Sequence, residues 1–188
     1  MEYLRIICSE VRESSSAAFL EAKDQDCKKK VPVDFMGNTY KQTTEFSIGQ
    51  AEPGKNTFSC YIGDKKYFLC AKNNKVFLMC SDGRDPNDVR FLFRVDNVDT
   101  RTQSSKYFTI QSAKTGKFLV SDESGNASMK EIKDHTGGPT SDRQAWFQFI
   151  HEDDMVAEKS VHTIREDKIF PGRIYEIQQA VTCTLTKM

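Results

Sequence analysis

An all-β chain with internal threefold repetition is what the sequence predicts, on three observations. The dipeptide Phe-Leu recurs as Phe19-Leu20, Phe68-Leu69 and Phe118-Leu119, at offsets of 49 and 50 residues. A short apolar run precedes each one: Ile6-Ile7-Cys8, Phe58-Ser59-Cys60 and Phe108-Thr109-Ile110. Each unit then closes on an aromatic run: Glu45-Phe46-Ser47-Ile48, Arg90-Phe91-Leu92-Phe93 and Ala145-Trp146-Phe147-Gln148-Phe149. Phe77-Leu78 and Phe91-Leu92 show that the dipeptide alone carries little; the signal is one order of three run types, met three times. Three all-strand units of about 40–50 residues build a β-trefoil. The expected fold class is therefore all-β, a β-trefoil of twelve strands with a C-terminal extension.

The elements follow in order. The first unit gives strands at about 4–10, 17–22, 31–36 and 44–49, the last ending at the turn Glu52-Pro53-Gly54-Lys55-Asn56. The second gives 57–62, 66–72, 75–81 and 90–96, with Ser81–Asp88 as a long, charged connection. The third gives 106–112, 117–121, 127–132 and 145–151, broken by Lys114-Thr115-Gly116-Lys117 and Thr136-Gly137-Gly138-Pro139. In the clearest hairpin, Tyr67–Lys72 meets Lys75–Ser81 across Asn73-Asn74, and Asn accepts the positive φ a two-residue turn needs. That register sets Phe68 opposite Met79, Cys70 opposite Phe77 and Cys80 opposite Tyr67. Phe68, Cys70, Phe77 and Met79 then share a face expected to fill the core. Of the Phe-Leu pairs, one member each is expected inside, with Phe68 and Phe118 as the inward ones. The trefoil domain is expected over 1–152. Residues 153–188 continue past the twelfth strand as a loosely ordered extension, in which Asp153–Ser160 could form a short helix.

Composition excludes several functions. The 188 residues carry 27 basic and 27 acidic side chains, so no global charge draws the chain to nucleic acid or an anionic membrane. No apolar run is long enough to span a bilayer, so no membrane insertion is expected. Met1–Cys8 does not read as a signal peptide. The six cysteines form no Cys-x-x-Cys pair and lie far from the three histidines, so no metal site is expected. Cys8, Cys60, Cys70 and Cys80 fall inside strands and read as buried, reduced thiols.

Catalytic chemistry has no foothold in the pattern. There is no phosphate-cradling glycine loop and no Gly-x-Ser-x-Gly elbow. Asp153-Asp154 reads as a solvated pair, His151 as a strand-end residue, and His135 and His162 have no evident partner. Asn126-Ala127-Ser128 fits a glycosylation sequon. The expectation is a non-enzyme without cofactor that binds through its loops, where a rigid strand scaffold places variable residues.

Over about residues 3–151 the strands resemble the interleukin-1 cytokine family. Tyr67-Phe68-Leu69-Cys70 with Phe77-Leu78-Met79 looks like that family's central hairpin, Asp85-Pro86-Asn87 like the following loop, and Arg90-Phe91-Leu92-Phe93 like the next strand's Arg-Phe-x-Phe. Glu45-Phe46-Ser47-Ile48 is similar to the strand before the receptor-contacting loop, and Leu4–Cys8 with Arg12-Glu13-Ser14 to the start of the mature chains. The segment Ile110–Ser121 is similar to the family signature but has Ile110 for Phe, lacks its Pro and turns one residue sooner; Ser81–Val89 is short and acidic.

The resemblance implies a monomeric signalling protein, exported by an unconventional route with a cytoplasmic pool. It would bind an interleukin-1-receptor-type ectodomain of immunoglobulin-like domains and, as an agonist, a co-receptor. Carried over position by position, it implies contacts at Arg12, at Gln50, Glu52, Lys55 and Phe58, and at Arg84, Asn87 and Asp88, with Phe58 as the apolar anchor. Gln144 stands where agonists tend to have Asp and the antagonist Lys, so the sign of action is open. An intracellular β-trefoil binding module of the fascin or actin-binding kind is the alternative. A heparin-binding growth-factor-like trefoil ranks third, on Lys28-Lys29-Lys30 and Lys65-Lys66.

Overall fold

Strands whose side chains alternate between two environments pair so that one face of each ladder is dry. The computed structural model describes residues 3–8, 19–23, 29–37, 42–98, 107–133 and 140–151. Its twelve strands are β1 Tyr3–Cys8, β2 Phe19–Ala22, β3 Lys30–Gly37, β4 Phe46–Glu52, β5 Lys55–Ile62, β6 Lys65–Lys72, β7 Lys75–Cys80, β8 Phe93–Val98, β9 Tyr107–Ser112, β10 Phe118–Ser121, β11 Ala127–Lys130 and β12 Phe147–His151. All twelve expected strands are present. The fourth strand of each unit starts later than expected because a 3-10 turn occupies its head: Gln42–Thr44, Val89–Phe91 and Arg143–Ala145. The last two are capped by Asp88 and Asp142, whose carboxylates accept the backbone N–H of Arg90 and Gln144 and so compete with strand pairing there.

Six strands close a ring through the antiparallel pairs β1–β4, β4–β5, β5–β8, β8–β9, β9–β12 and β12–β1. Closure leaves the barrel no free edge. The other six form the hairpins β2–β3, β6–β7 and β10–β11, which cap it. The hairpins also join one another: β3 pairs β7, Met129 N–H donates to the Asn74 carbonyl at 3.0 Å, and Phe35 N–H donates to the Gly125 carbonyl at 2.7 Å. This is the β-trefoil. Equivalent pairings Leu4 with Phe46, Asn56 with Phe93 and Phe108 with Phe147 fix the repeat, at a spacing of 52 residues in β1, β5 and β9. The third counterpart of Ile6 and Phe58 is therefore Ile110, two residues beyond Phe108, and all three are fully buried.

The β6–β7 register is the expected one, with Phe68 opposite Met79, Cys70 opposite Phe77 and Tyr67 opposite Cys80, and Asn73 takes a φ of 56° in the turn. The expected core face is reversed. Leu20, Leu69 and Leu119 enter the main core with Ile6, Phe46, Phe58, Phe93, Ile110 and Phe147. Phe68 and Phe118 point the other way and are buried all the same. Phe68 packs with Cys70, Met79 and Phe91, and Phe118 with Val120, Ile132 and Ala145. The 3-10 turns supply the cover: each packs on the second strand of its own unit. Both members of each Phe-Leu pair are thus buried, one on each face of its hairpin.

Cys8, Cys60, Cys70 and Cys80 are buried free thiols. Burial pushes Cys60 up to about 12 and raises Cys70, overriding the opposing pull of Arg90. Only the thiolate is the nucleophile. Alkylation of the folded protein at pH 8, read by mass spectrometry, is expected to leave these four unmodified and to label them once the chain is unfolded. Labelling of Cys60 before unfolding would contradict its burial.

Candidate functional site

The side chains named by the sequence fall in three places. Gln50, Glu52 and Lys55 sit at the β4–β5 hairpin, where the register shifts between Gln50 and Glu52 and tightens the bend. Gln50 and Glu52 are exposed, and Lys55 Nζ donates to Glu52 Oε2 at 2.8 Å. Arg84, Asn87 and Asp88 lie on the β7–β8 connection. Two turns shape it: Arg84 N–H donates to the Ser81 carbonyl at 3.0 Å, and Asn87 N–H donates to Asp85 Oδ1 at 2.8 Å. Gln144 lies in the last 3-10 turn, half-buried, its carbonyl 4.0 Å from Cys8 Sγ. Among the described residues no hydrogen bond or ion pair joins the first two groups. Arg12 lies outside the described residues, as do Cys27, Cys183, His135, Gly137-Gly138 and the 153–188 extension.

Phe58 requires correction as a surface anchor. Its side chain is 0% exposed and makes edge contacts with Phe93 and Phe149, at 5.9 and 6.1 Å between ring centroids. It belongs to the barrel interior, because β5 alternates and Phe58 is the second-unit partner of Ile6. A ring with no exposed surface cannot meet a receptor. Among the described residues the exposed large apolar side chains are Met36, Tyr61 and Val89. Val89, 42% exposed, directly follows Asp88 and shares the β7–β8 connection with Arg84.

The acidic character of that connection is largely neutralised. Asp82 faces Lys65 at 3.7 Å, and Asp88 receives Arg90 Nε on both carboxylate oxygens at 2.9 and 3.0 Å. Hydrogen bonding from Arg90 holds the Asp88 carboxyl down at about 2, against burial, which acts the other way. Arg90 also lies over the Phe91 ring, so this ion pair fastens the turn that covers Phe68. The folded-state value lies below the ordinary carboxylate value, so the stabilisation is fully present above about pH 4 and is lost as pH falls toward about 2. Asp88→Asn is expected to lower stability at pH 6 by less than about 1 kcal/mol, since the pair is partly solvent-screened. Urea unfolding at pH 6 and pH 2 checks this: the gap between wild type and variant should close at the lower pH.

A group of residues not assembled from the sequence lies at the β6–β7 tip. Lys30, Lys72, Asn73, Asn74, Lys75 and Phe77 line a shallow depression of about 560 Å³. Lys72 stands opposite Lys75 in the ladder, which the hairpin register already implied. Lys30 arrives from β3 through a pairing the sequence does not reveal. Among the described residues no group of three His, Cys, Asp or Glu side chains could hold a metal ion. No described helix is long and apolar enough to cross a membrane.

No family model and no curated protein sequence matches the chain. Among solved structures it is similar to ThreeFoil, a designed 3-fold symmetric protein, with a TM-score of 0.58 at 10% identity over 79% of this chain and 97% of that one. At that identity the likeness concerns the fold, and the closed six-strand ring with three capping hairpins makes this chain a β-trefoil.

Proposed function

We propose that this trefoil is an interleukin-1-type ligand that binds an immunoglobulin-type receptor ectodomain through its loops, as agonist or antagonist. One observation carries the reading. The segments that resemble that family, Glu45–Ile48, Tyr67–Cys70, Phe77–Met79 and Arg90–Phe93, fall at the start of β4, on β6, on β7 and on the turn leading into β8 of one trefoil. The contact surface draws on Gln50, Glu52 and Lys55 at one hairpin and Arg84, Asn87 and Asp88 at the next long connection. Val89 takes the role of apolar anchor in place of Phe58, being the large exposed apolar side chain on those loops. Action outside cells with a cytoplasmic pool belongs to the same proposal, as does an absence of enzymatic activity. The second reading, an intracellular binding module, draws support from the four reduced, buried thiols.

Binding of the full chain to a panel of interleukin-1-receptor-type ectodomains tests the proposal. Val89→Asp and Arg84→Glu are each expected to weaken binding about tenfold or more with unfolding midpoints unchanged, Val89→Asp mainly through the off-rate. A reporter assay with and without a known agonist then assigns the sign of action. Failure to bind any ectodomain of that class, with the chain folded, overturns the reading in favour of the intracellular module.

A further inference from the structure

The β6–β7 hairpin has two faces. One carries Tyr67, Leu69 and Leu78 into the barrel core. The other carries Lys66, Phe68, Cys70 and Lys72 on β6 and Lys75, Phe77 and Met79 on β7, in the pairings Phe68–Met79, Cys70–Phe77 and Lys72–Lys75. Lys30 joins this face from β3, opposite Met79, with its ammonium 5.5 Å from the centre of the Phe77 ring. Lys66 lies 5.1 Å over the Phe68 ring. Lys117 donates to Asn74 Oδ1 at the hairpin tip. The charges of Arg90, Lys114 and Lys30 act on the Cys70 thiol in the same sense, against the burial that raises it.

Among the described residues, none of Lys30, Lys66, Lys72, Lys75, Lys114 and Lys117 has a carboxylate within ion-pair distance. Asp88, the acid that also acts on Cys70, is engaged by Arg90. Like charges directly opposite in an antiparallel ladder destabilise it. The Lys72–Lys75 pair is therefore a cost to the fold, concentrated on one face of a chain whose total charge is zero. A bound polyanion would relieve it.

We propose that this face binds a sulfated polysaccharide. The chemistry selects among polyanions. Single-stranded nucleic acid needs free aromatic faces on which bases stack. Here Phe68 is buried and Phe77, half-buried, already has Lys30 over its ring, so this face offers at most one partly covered ring and no series of platforms for successive bases. A lipid surface needs apolar side chains to insert, and the large ones exposed among the described residues, Met36, Tyr61 and Val89, are not among the residues of this face. What remains is a set of compact ammonium groups, of which Lys30, Lys72 and Lys75 line a shallow, open depression. This suits sulfate groups spaced along a flexible chain, met at the surface without a deep pocket. The inference stands independently of the receptor reading.

The test uses the full chain and a size-defined heparin dodecasaccharide, with affinity measured by titration calorimetry between 0.05 and about 0.3 M salt. Binding is expected to fall steeply with salt, with a logarithmic slope of about −3 for four neutralised charges. Lys72→Gln with Lys75→Gln should weaken it about tenfold or more, with an unfolding midpoint equal to or above that of wild type. Arg94→Gln, at an exposed β8 position, should leave it unchanged. The proposal is overturned if the dodecasaccharide does not bind, if the double variant binds as wild type does, or if a desulfated chain binds equally well. Tighter binding to single-stranded RNA or to phosphatidylserine vesicles would overturn the choice of polysaccharide.

Discussion

Phe58→Ala is expected to lower the unfolding free energy by about 3–5 kcal/mol, the cost of removing a fully buried aromatic ring from a core that relaxes only partly. Phe58 is the largest of the three equivalent barrel positions, the others being Ile6 and Ile110. It makes edge contacts with Phe93 of β8 and Phe149 of β12, so truncation opens a cavity between strands of the second and third units. Neighbours drawn from two units of a closed ring have little freedom to collapse into it. The measurement is a denaturant midpoint compared at constant m. It also separates two roles for this residue. A surface anchor truncated to Ala would leave stability within about 1 kcal/mol of wild type and act on binding alone. A core residue loses stability first, and any loss of binding follows the unfolded fraction. A small loss of stability with a large loss of binding would sink the present assignment.

The difference between a visible pattern and a visible face explains what the sequence yielded. Strand positions and the β6–β7 register were legible because turn residues bracket short apolar runs and Asn73-Asn74 leaves one natural pairing. The direction in which Phe68 points was not legible. In a hairpin with one dry face the larger apolar residue is the natural inward choice. Here the turn Val89–Phe91 lays Phe91 on Phe68 at 5.4 Å between centroids and dries the middle of the second face too, leaving Lys66, Lys72 and Lys75 at its ends. Over Phe68, Leu69 and Cys70 both faces are buried, and the alternation that would name the core side disappears there. The inward position of Phe58 is hidden in the sequence for a related reason. A resemblance transfers a loop neighbourhood, but inward or outward is decided residue by residue at period two. The basic face was half legible: Lys72 opposite Lys75 follows from the turn, whereas Lys30 reaches them only through the contact of one capping hairpin with another.

Gly37→Ala is expected to cost about 3 kcal/mol, at the upper end for an added methyl group, because each neighbour it meets is already committed. Gly37 ends β3 opposite Phe19. A Cβ there would lie 2.4 Å from Thr44 Cγ2, 2.8 Å from Glu21 Cβ and 2.8 Å from the Phe19 carbonyl oxygen. The carbonyl belongs to the backbone and has little room to move. Thr44 is fully buried in the first 3-10 turn, and its Oγ1 accepts the Arg5 Nε–H at 2.9 Å. Arg5 is itself buried, and its Nη2 donates to Glu45 Oε1 at 2.6 Å. Pushing Thr44 aside would therefore strain the partners of a buried guanidinium, whose loss of a hydrogen bond adds to the steric cost. Thr44→Ser isolates the cause, since it deletes Cγ2 but keeps the accepting hydroxyl. The double variant should recover about 1 kcal/mol or more relative to the sum of the single changes, a coupling that residues in contact can show. Gly49→Ala provides the comparison: its added Cβ would meet only Thr57 Oγ1, at 3.1 Å, and should cost far less. Strict additivity of Gly37→Ala and Thr44→Ser would place the damage at the Phe19 carbonyl instead. Equal losses for Gly37→Ala and Gly49→Ala would show that close packing of the first unit's turn does not govern stability.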